Sequence, residues 1–331
     1  MSVPAFLPPA GKWGHMSRRK KGDPVHGWVI VDKPAGPTST QVVAKVRRIF
    51  NAQKAGHAGT LDPMATGVLA VALGEATKTV PYAMDAEKTY LFTARWGEGR
   101  DSDDAEGAVT QTSDRCPTEA EIEAIIPQFQ GLIQQTPPAY SAIKVDGERA
   151  YDIARDGEAV ALEPRTVFVR QVRLLACPDA DHAEFEMHCS KGTYVRAWVR
   201  DVGLALGCFG HVSALRRSRI GSFRVEDATP LDLLEGFMHS PAAFEHLRPI
   251  ATALDGISAL AVTGPDAVRL KSGNPILIRP AMFAAITARH SDDDLQGLTV
   301  FCSTGEGEPV ALTTLAAGEL RPFRVFNFSN G

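Results

Sequence analysis

The sequence predicts an α+β fold, with a mixed, mainly antiparallel central sheet, flanking helices and a small C-terminal β-rich domain. Three observations carry this. Strand-like and helix-like segments follow one another without the regular alternation that builds a parallel sheet. The amphipathic helical patterns all fall before residue 254. Beyond residues 254–256 the apolar runs become short and turn residues separate them. A length of 331 residues suits two domains.

Taken in order, residues 1–26 read as a tail, Pro/Gly-rich at its start and carrying the basic run Arg18, Arg19, Lys20 and Lys21. Two readings of that tail stay open, an arm that meets a polyanion and a solubilising extension. Residues 27–31 (GWVIV) read as a buried strand that runs into the turn-rich Asp32-Lys33-Pro34-Ala35-Gly36-Pro37. Thr38 or Ser39 then caps a helix whose apolar face is Val42, Val43, Val46, Ile49 and Phe50. A long loop spans residues 56–67. Residues 88–96 alternate, with Tyr90, Phe92, Ala94 and Trp96 on one face, as a half-buried strand does. Thr118 and Glu121 form a capping box for a helix carrying Ile122, Ile125, Ile126 and Phe129.

Residues 134–164 are polar and bounded by prolines, an excursion from the core. Residues 167–175 and 184–189 read as strands, and residues 194–206 as a helix with Val195, Trp198, Val199, Val202 and Leu206 inward. A short strand at 221–225 and a short helix starting at 230–234 close the first domain. The second is expected to be built from runs at 259–262, 275–278, 298–301, 310–312 and 323–328.

Composition removes several classes. Hydrophobic residues at 44% and charged residues at 22% give an ordinary globular core and exclude wholesale disorder. No apolar run reaches the roughly 18 residues of a membrane span, and the first 26 residues lack a signal-peptide apolar stretch. The five cysteines are scattered, with no C-x-x-C spacing, which argues against a disulfide framework or zinc site and fits a reducing cytoplasm. Net charge is -4, yet the charge is unevenly distributed. Residues 12–78 hold 11 basic and 4 acidic side chains, and residues 188–224 hold 7 and 1. Brought together, two such stretches would make a face for a polyanion. Residues 98–123 hold 9 acidic and 2 basic side chains and read as an exposed connection.

The chemistry concentrates in Gly56-His57-Ala58-Gly59-Thr60-Leu61-Asp62-Pro63-Met64-Ala65-Thr66-Gly67. Glycines let backbone approach a ligand, and Pro63 biases Asp62 toward an extended conformation that aims its carboxylate. On residues alone, Asp62 reads equally as a turn-maker or as the cap of a helix starting at Pro63.

That loop resembles the G-H-x-G-x-L-D-P-x-A-x-G signature of the pseudouridine synthases. Five further segments resemble family motifs in the same order: Asp32-Lys33-Pro34-Ala35-Gly36-Pro37-Thr38-Ser39, Gly74-Glu75-Ala76-Thr77-Lys78, Lys88-Thr89-Tyr90, Pro137-Pro138-Ala139-Tyr140-Ser141-Ala142-Ile143-Lys144, and Cys189-Ser190-Lys191-Gly192-Thr193-Tyr194-Val195-Arg196. The resemblance runs from about residue 27 to 234. It implies the pseudouridine synthase fold for residues 27–254, with an RNA-gripping insertion at about 134–164, and a PUA-like RNA-binding domain for 255–331.

The implied activity is isomerisation of uridine 55 in the T loop of tRNA, by base flipping and an aspartate nucleophile, with no cofactor and no metal. Asp62 matches the nucleophile, Tyr90 the tyrosine that stacks on the flipped base, and Arg196 the arginine that pairs with the aspartate. Tyr194 and Leu215 match pocket walls, with core packing as the other reading of each. His57 matches the histidine that enters the space left by the extruded uridine. Lys33 is expected to hold the catalytic loop and Lys144 to grip RNA. Arg216, Arg217 and Arg219 are expected to contact phosphates, which position a substrate more than they specify it. The expected partner is the tRNA T stem-loop, for a cytoplasmic monomer needing no protein partner and no membrane. A guide-RNA-dependent enzyme, an RNA chaperone and a glycosidase are weaker alternatives. The glycosidase is weakest, because the loop offers one carboxylate where a pair is needed.

Overall fold

The structure is a computed structural model and describes residues 22–141, 144–145, 148–149, 162–238, 240–287 and 295–328. Its centre is one mixed sheet. The main strands are β1 (Gly27–Lys33), β2 (Thr66–Leu73), β3 (Lys88–Trp96), β4 (Gly131–Gln135), β5 (Arg165–Ala176), β6 (His182–Cys189) and β7 (Gly210–Ile220). Their spatial order is β1-β2-β7-β3-β6-β5-β4, with Thr229–Pro230 beyond β1. All neighbouring pairs among β1 to β7 are antiparallel except β2 and β7, which run parallel with Arg216 opposite Thr66 and Arg217 opposite Gly67.

The strand sequences follow from what covers them. β1 and β2 are buried on both faces, so they read as continuous apolar runs, GWVIVDK and TGVLAVAL. Val29, Val31, Leu69 and Val71 meet the helices Ser39–Ile49 and Val195–Ala205 in one cluster. Trp28, Ile30, Val68 and Ala70 face the other way and meet Phe301, Leu312 and Phe326 of the C-terminal sheet. β3 and β6 are covered on one face only, and alternate accordingly. Trp198 packs edge-on to both Phe92 and Phe185 beneath them.

The C-terminal sheet has the order Ser258–Ala261, Thr299–Ser303, Pro309–Ala316, Glu319–Val325, Ile276–Leu277. Two helices absent from the sequence reading, Gly264–Lys271 and Pro280–Thr287, cover its core. The Gly74–Lys78 motif joins the two sheets. Lys78 Nζ donates to Val325 O at 2.7 Å, and Asn327 N donates to Glu75 Oε2 at 2.7 Å.

Two expectations change. The loop at 56–67 is bracketed by strands, Ala55–His57 before it and β2 from Thr66. The acidic connection is not all surface: Glu98–Arg100 pairs with Val109–Thr112, and the turn between them buries Ser102, Asp103 and Asp104. The basic run of the tail lies outside the described residues, as does most of the 134–164 insertion. Lys144 falls in a two-residue strand, Lys144–Val145, paired with Glu148–Arg149.

Candidate active site

The Asp62 loop is held by groups from four other parts of the chain. Thr38 caps the first helix, accepting from Gln41 N, while Gln41 Oε1 accepts from Thr38 N at 2.8 Å. That leaves the neighbouring Ser39, which is buried, to pin Leu61: its Oγ accepts from Leu61 N at 2.8 Å and donates to Leu61 O at 2.9 Å. Lys33 is fully buried at the end of β1 and donates to Pro63 O at 3.0 Å, Ala65 O at 2.8 Å and Pro34 O at 2.9 Å. Gly36 N also donates to Pro63 O, at 2.9 Å. Burial pushes the Lys33 ammonium down to about 8.

Asp62 Oδ2 lies 2.9 Å from Arg196 Nε. Arg196 starts the Val195–Ala205 helix, whose cap residue is Tyr194, and only 3% of its side chain is exposed. The rest of its guanidinium is committed: Nη1 donates to Ser102 O at 2.7 Å and pairs with Asp104 Oδ2 at 3.3 Å, and Nη2 donates to Tyr140 O at 2.8 Å. One arginine therefore ties the Asp62 loop, the 101–107 turn and the root of the insertion together. Burial raises the Asp62 carboxyl above the ordinary range, and Arg196 is the strongest influence pulling it back. About a third of the Asp62 side chain, 32%, still faces open space.

That space is two cavities meeting at Asp62. One, of about 280 Å³, is lined by Tyr90, Lys88, Tyr194, Leu215, Arg217 and Arg196. The other, of about 680 Å³, is lined by His57, Thr38, Asp101, Asp104, Glu106 and Tyr140. Tyr90 and Phe92 point to the same face of β3, and Leu215 and Arg217 to the same face of β7. Desolvation raises the hydroxyls of both Tyr90 and Tyr194.

The structure therefore brings Asp62, Arg196, Tyr90, Tyr194 and Leu215 around one cavity, with His57 in the adjoining one. It does not bring Arg216 and Arg217 to a common surface. Strand alternation turns Arg216 to the opposite face, where it makes a two-pronged pair with Asp32 at 3.0 and 2.7 Å. Arg217 is only 1% exposed, and all three of its nitrogens donate to main-chain carbonyls. This differs from the presentation to phosphate expected of Arg217, because its guanidinium is spent on main-chain carbonyls. Arg219 Nε donates to Gly221 O.

The sequence reading missed Ser102, Asp103 and Asp104. Asp103 takes a left-handed backbone, φ 58°, and pairs with Arg200 at 2.8 Å. Burial pushes its carboxyl up to about 6 against the pull of Arg200. The available signal was a turn-forming D-S-D-D-A-E-G run too polar for its hairpin unless cations wait inside the fold. As for metal ligands, Asp179, Asp181 and His182 gather within 4.8 Å of one another, but none of them lines either cavity.

Comparison with known proteins agrees with this geometry. Residues 47–195 match the family model described as TruB family pseudouridylate synthase, N-terminal domain. Residues 196–255 match the tRNA pseudouridylate synthase B C-terminal domain. The tRNA pseudouridine synthase B of Caulobacter sp. (strain K31) is 52% identical over 95% of this chain and 100% of its own length. That of Bradyrhizobium diazoefficiens is 51% identical over 96% of this chain and 90% of its own length. Among solved structures, an H/ACA ribonucleoprotein bound to a substrate RNA containing 2'-deoxyuridine has a TM-score of 0.68 at 23% identity, covering 94% of this chain and 91% of the other. A Cbf5-Nop10-Gar1 complex has a TM-score of 0.66 at 25% identity, covering 91% and 85%.

Proposed function

The chain belongs to the TruB family of pseudouridylate synthases, and we propose that it converts uridine 55 in the T loop of tRNA to pseudouridine with Asp62 as the nucleophile. One observation carries the assignment of roles: a carboxylate held 2.9 Å from a buried guanidinium at the mouth of a cavity walled by Tyr90, Tyr194 and Leu215.

The reaction breaks the bond from C1′ to N1, turns the uracil, joins C1′ to C5, releases the C5 proton and returns a proton to N1. Atoms and oxidation level are conserved, so a nucleophile and a proton route are all the protein must supply. Arg196 opposes the desolvation that raises the Asp62 carboxyl, so it favours the charged form, and it fixes the carboxylate's direction. A base still stacked in RNA cannot present its face to Tyr90 and its reacting atoms to Asp62, so uridine must leave its stack. Tyr90 offers its ring to the extruded base and its hydroxyl for proton transfer, and His57 enters the space left in the loop. Residues 134–164, with Lys144, grip the RNA. Residues 255–331 form a PUA-like domain that binds it too.

The enzyme works on the tRNA T stem-loop as a cytoplasmic monomer, with no protein partner. Among the described residues no helix is long and apolar enough to cross a membrane. Tritium release tests the reading. Transcript labelled at C5 of uridine is incubated with the protein, and product is mapped by position. Release confined to the T-loop uridine supports it. Binding without release favours a chaperone, and release that appears only with added small RNAs favours a guide-dependent enzyme.

A further inference from the structure

The donors of Arg217 join two separate segments, the Asp62 loop and β2. Nη2 donates to Gly59 O at 3.0 Å and Nη1 to Thr60 O at 3.3 Å, both in the Asp62 loop. Nε donates to Val68 O at 2.9 Å, in β2. On its other side, Arg217 stands directly opposite Tyr90 in the β7–β3 ladder, and both side chains line the cavity beside Asp62. The loop is shaped around this residue. Gly67 has φ 96°, and a Cβ there would lie 2.2 Å from the Arg217 carbonyl oxygen. Only glycine lets β2 start that close to β7.

We infer that Arg217 is a positioning residue of the reaction, its guanidinium fixing the Asp62 loop against the strand position opposite Tyr90. The inference rests on the assignment of Asp62 and Tyr90 above. A planar fork of five donors can hold two loop carbonyls and a strand carbonyl together in one fixed geometry. A lysine carries the same charge on a flexible stem with one nitrogen, and cannot span them. The loop and Tyr90 come from chain segments that share no described hydrogen bond of their own, so slack between them would move the nucleophile against the stacked base.

The test uses the full-length chain with Arg217→Lys and Arg217→Met. Affinity for a T-arm RNA is measured across a salt series, and the single-turnover rate at saturating RNA. Arg217→Lys is expected to keep its affinity within about twofold and its salt dependence unchanged, while the rate falls about 100-fold, the scale for a misplacement near 1 Å. Arg217→Met should lose at least as much rate with affinity likewise kept. Weaker binding with the slope of log affinity against log salt reduced by about 0.9, and the rate at saturation retained, would make Arg217 a phosphate ligand and overturn the inference. A lower melting temperature with an unchanged rate per folded molecule would also overturn it, leaving a scaffold role. Should Arg217→Met fail to fold, a cycle with Tyr90→Phe decides. Arg217→Lys must cost less rate in the Tyr90→Phe background than in wild type, and full additivity refutes the coupling. A wild-type chain with no tritium release would instead sink the proposed function itself.

Discussion

The two faces of the β7–β3 region treat basic side chains in opposite ways. On the cavity face, Lys33, Arg196 and Arg217 are each 3% exposed or less, and they donate mainly to main-chain carbonyls. On the back, Arg170 pairs with Glu87, Arg173 with Glu186 and Arg216 with Asp32, all at the solvent edge. The difference teaches what each charge is for. A carbonyl cannot move without its backbone, so a buried cation bound to carbonyls fixes the shape of a loop. A carboxylate on a side chain can follow its partner, and pairs made by arginines 39% to 58% exposed contribute little.

The strongest way to break the comparison is to remove the group the buried cations serve. Asp62→Asn should reduce C5 tritium release to background while filter-binding affinity for the T-arm persists. Equal loss of binding would refute Asp62 as nucleophile. Next comes Asp104→Asn, which takes one of two carboxylates from Arg196 and leaves its carbonyl contacts intact. The single-turnover rate should fall about 10-fold or more, with affinity kept, since the guanidinium is then free to tilt away from Asp62. An unchanged rate would show that the carbonyls alone hold Arg196.

A pH profile sharpens the contrast at smaller amplitude. The Lys33 amine is depressed from 10.5 to about 8 by burial. The unfolded chain therefore binds that proton more tightly, and the burden Lys33 places on folding lifts as pH rises from about 8 toward 10.5. Function runs the other way, because three carbonyls need the ammonium. The rate should drop a few-fold as pH rises through about 8. Lys33→Arg, whose charge persists, should move that limb upward. A limb that stays in place belongs to another group, with Lys88, also held near 8 by burial, the first candidate. The smallest effect belongs to the back face. Arg170→Ala and Arg173→Ala should leave both turnover and melting temperature unchanged, and a rate loss there would dissolve the distinction between the faces.

Much of this was legible in the residues. The Asp62 motif, the Thr38 and Thr118 caps, and the alternation of β3 are local patterns, and each fixes a local structure. The resemblance to pseudouridine synthases named Tyr90, Arg196 and Leu215. What escaped is of two kinds. Asp103 and Asp104 looked like surface because their cations, Arg200 and Arg196, come more than 90 positions later. Charge counts along a chain cannot see such pairing. β2 and β7 were not read as strands: one is continuously apolar with small residues, and the other carries a basic run that suggested surface. Alternation along β7 would have separated Arg216 from Arg217, because Leu215 fixes which face is inward.

The parallel pairing of β2 with β7 also bears on the order of synthesis. Arg217 and the strand it holds are 149 positions apart. A ribosome-bound chain that has emerged through Cys189 carries the whole Asp62 motif and Tyr90, yet neither guanidinium that aligns them. Contacts this distant form late, because loop closure must come first. Until β7 has emerged, the growing polypeptide holds its nucleophile without the arginine that joins the Asp62 loop to β2.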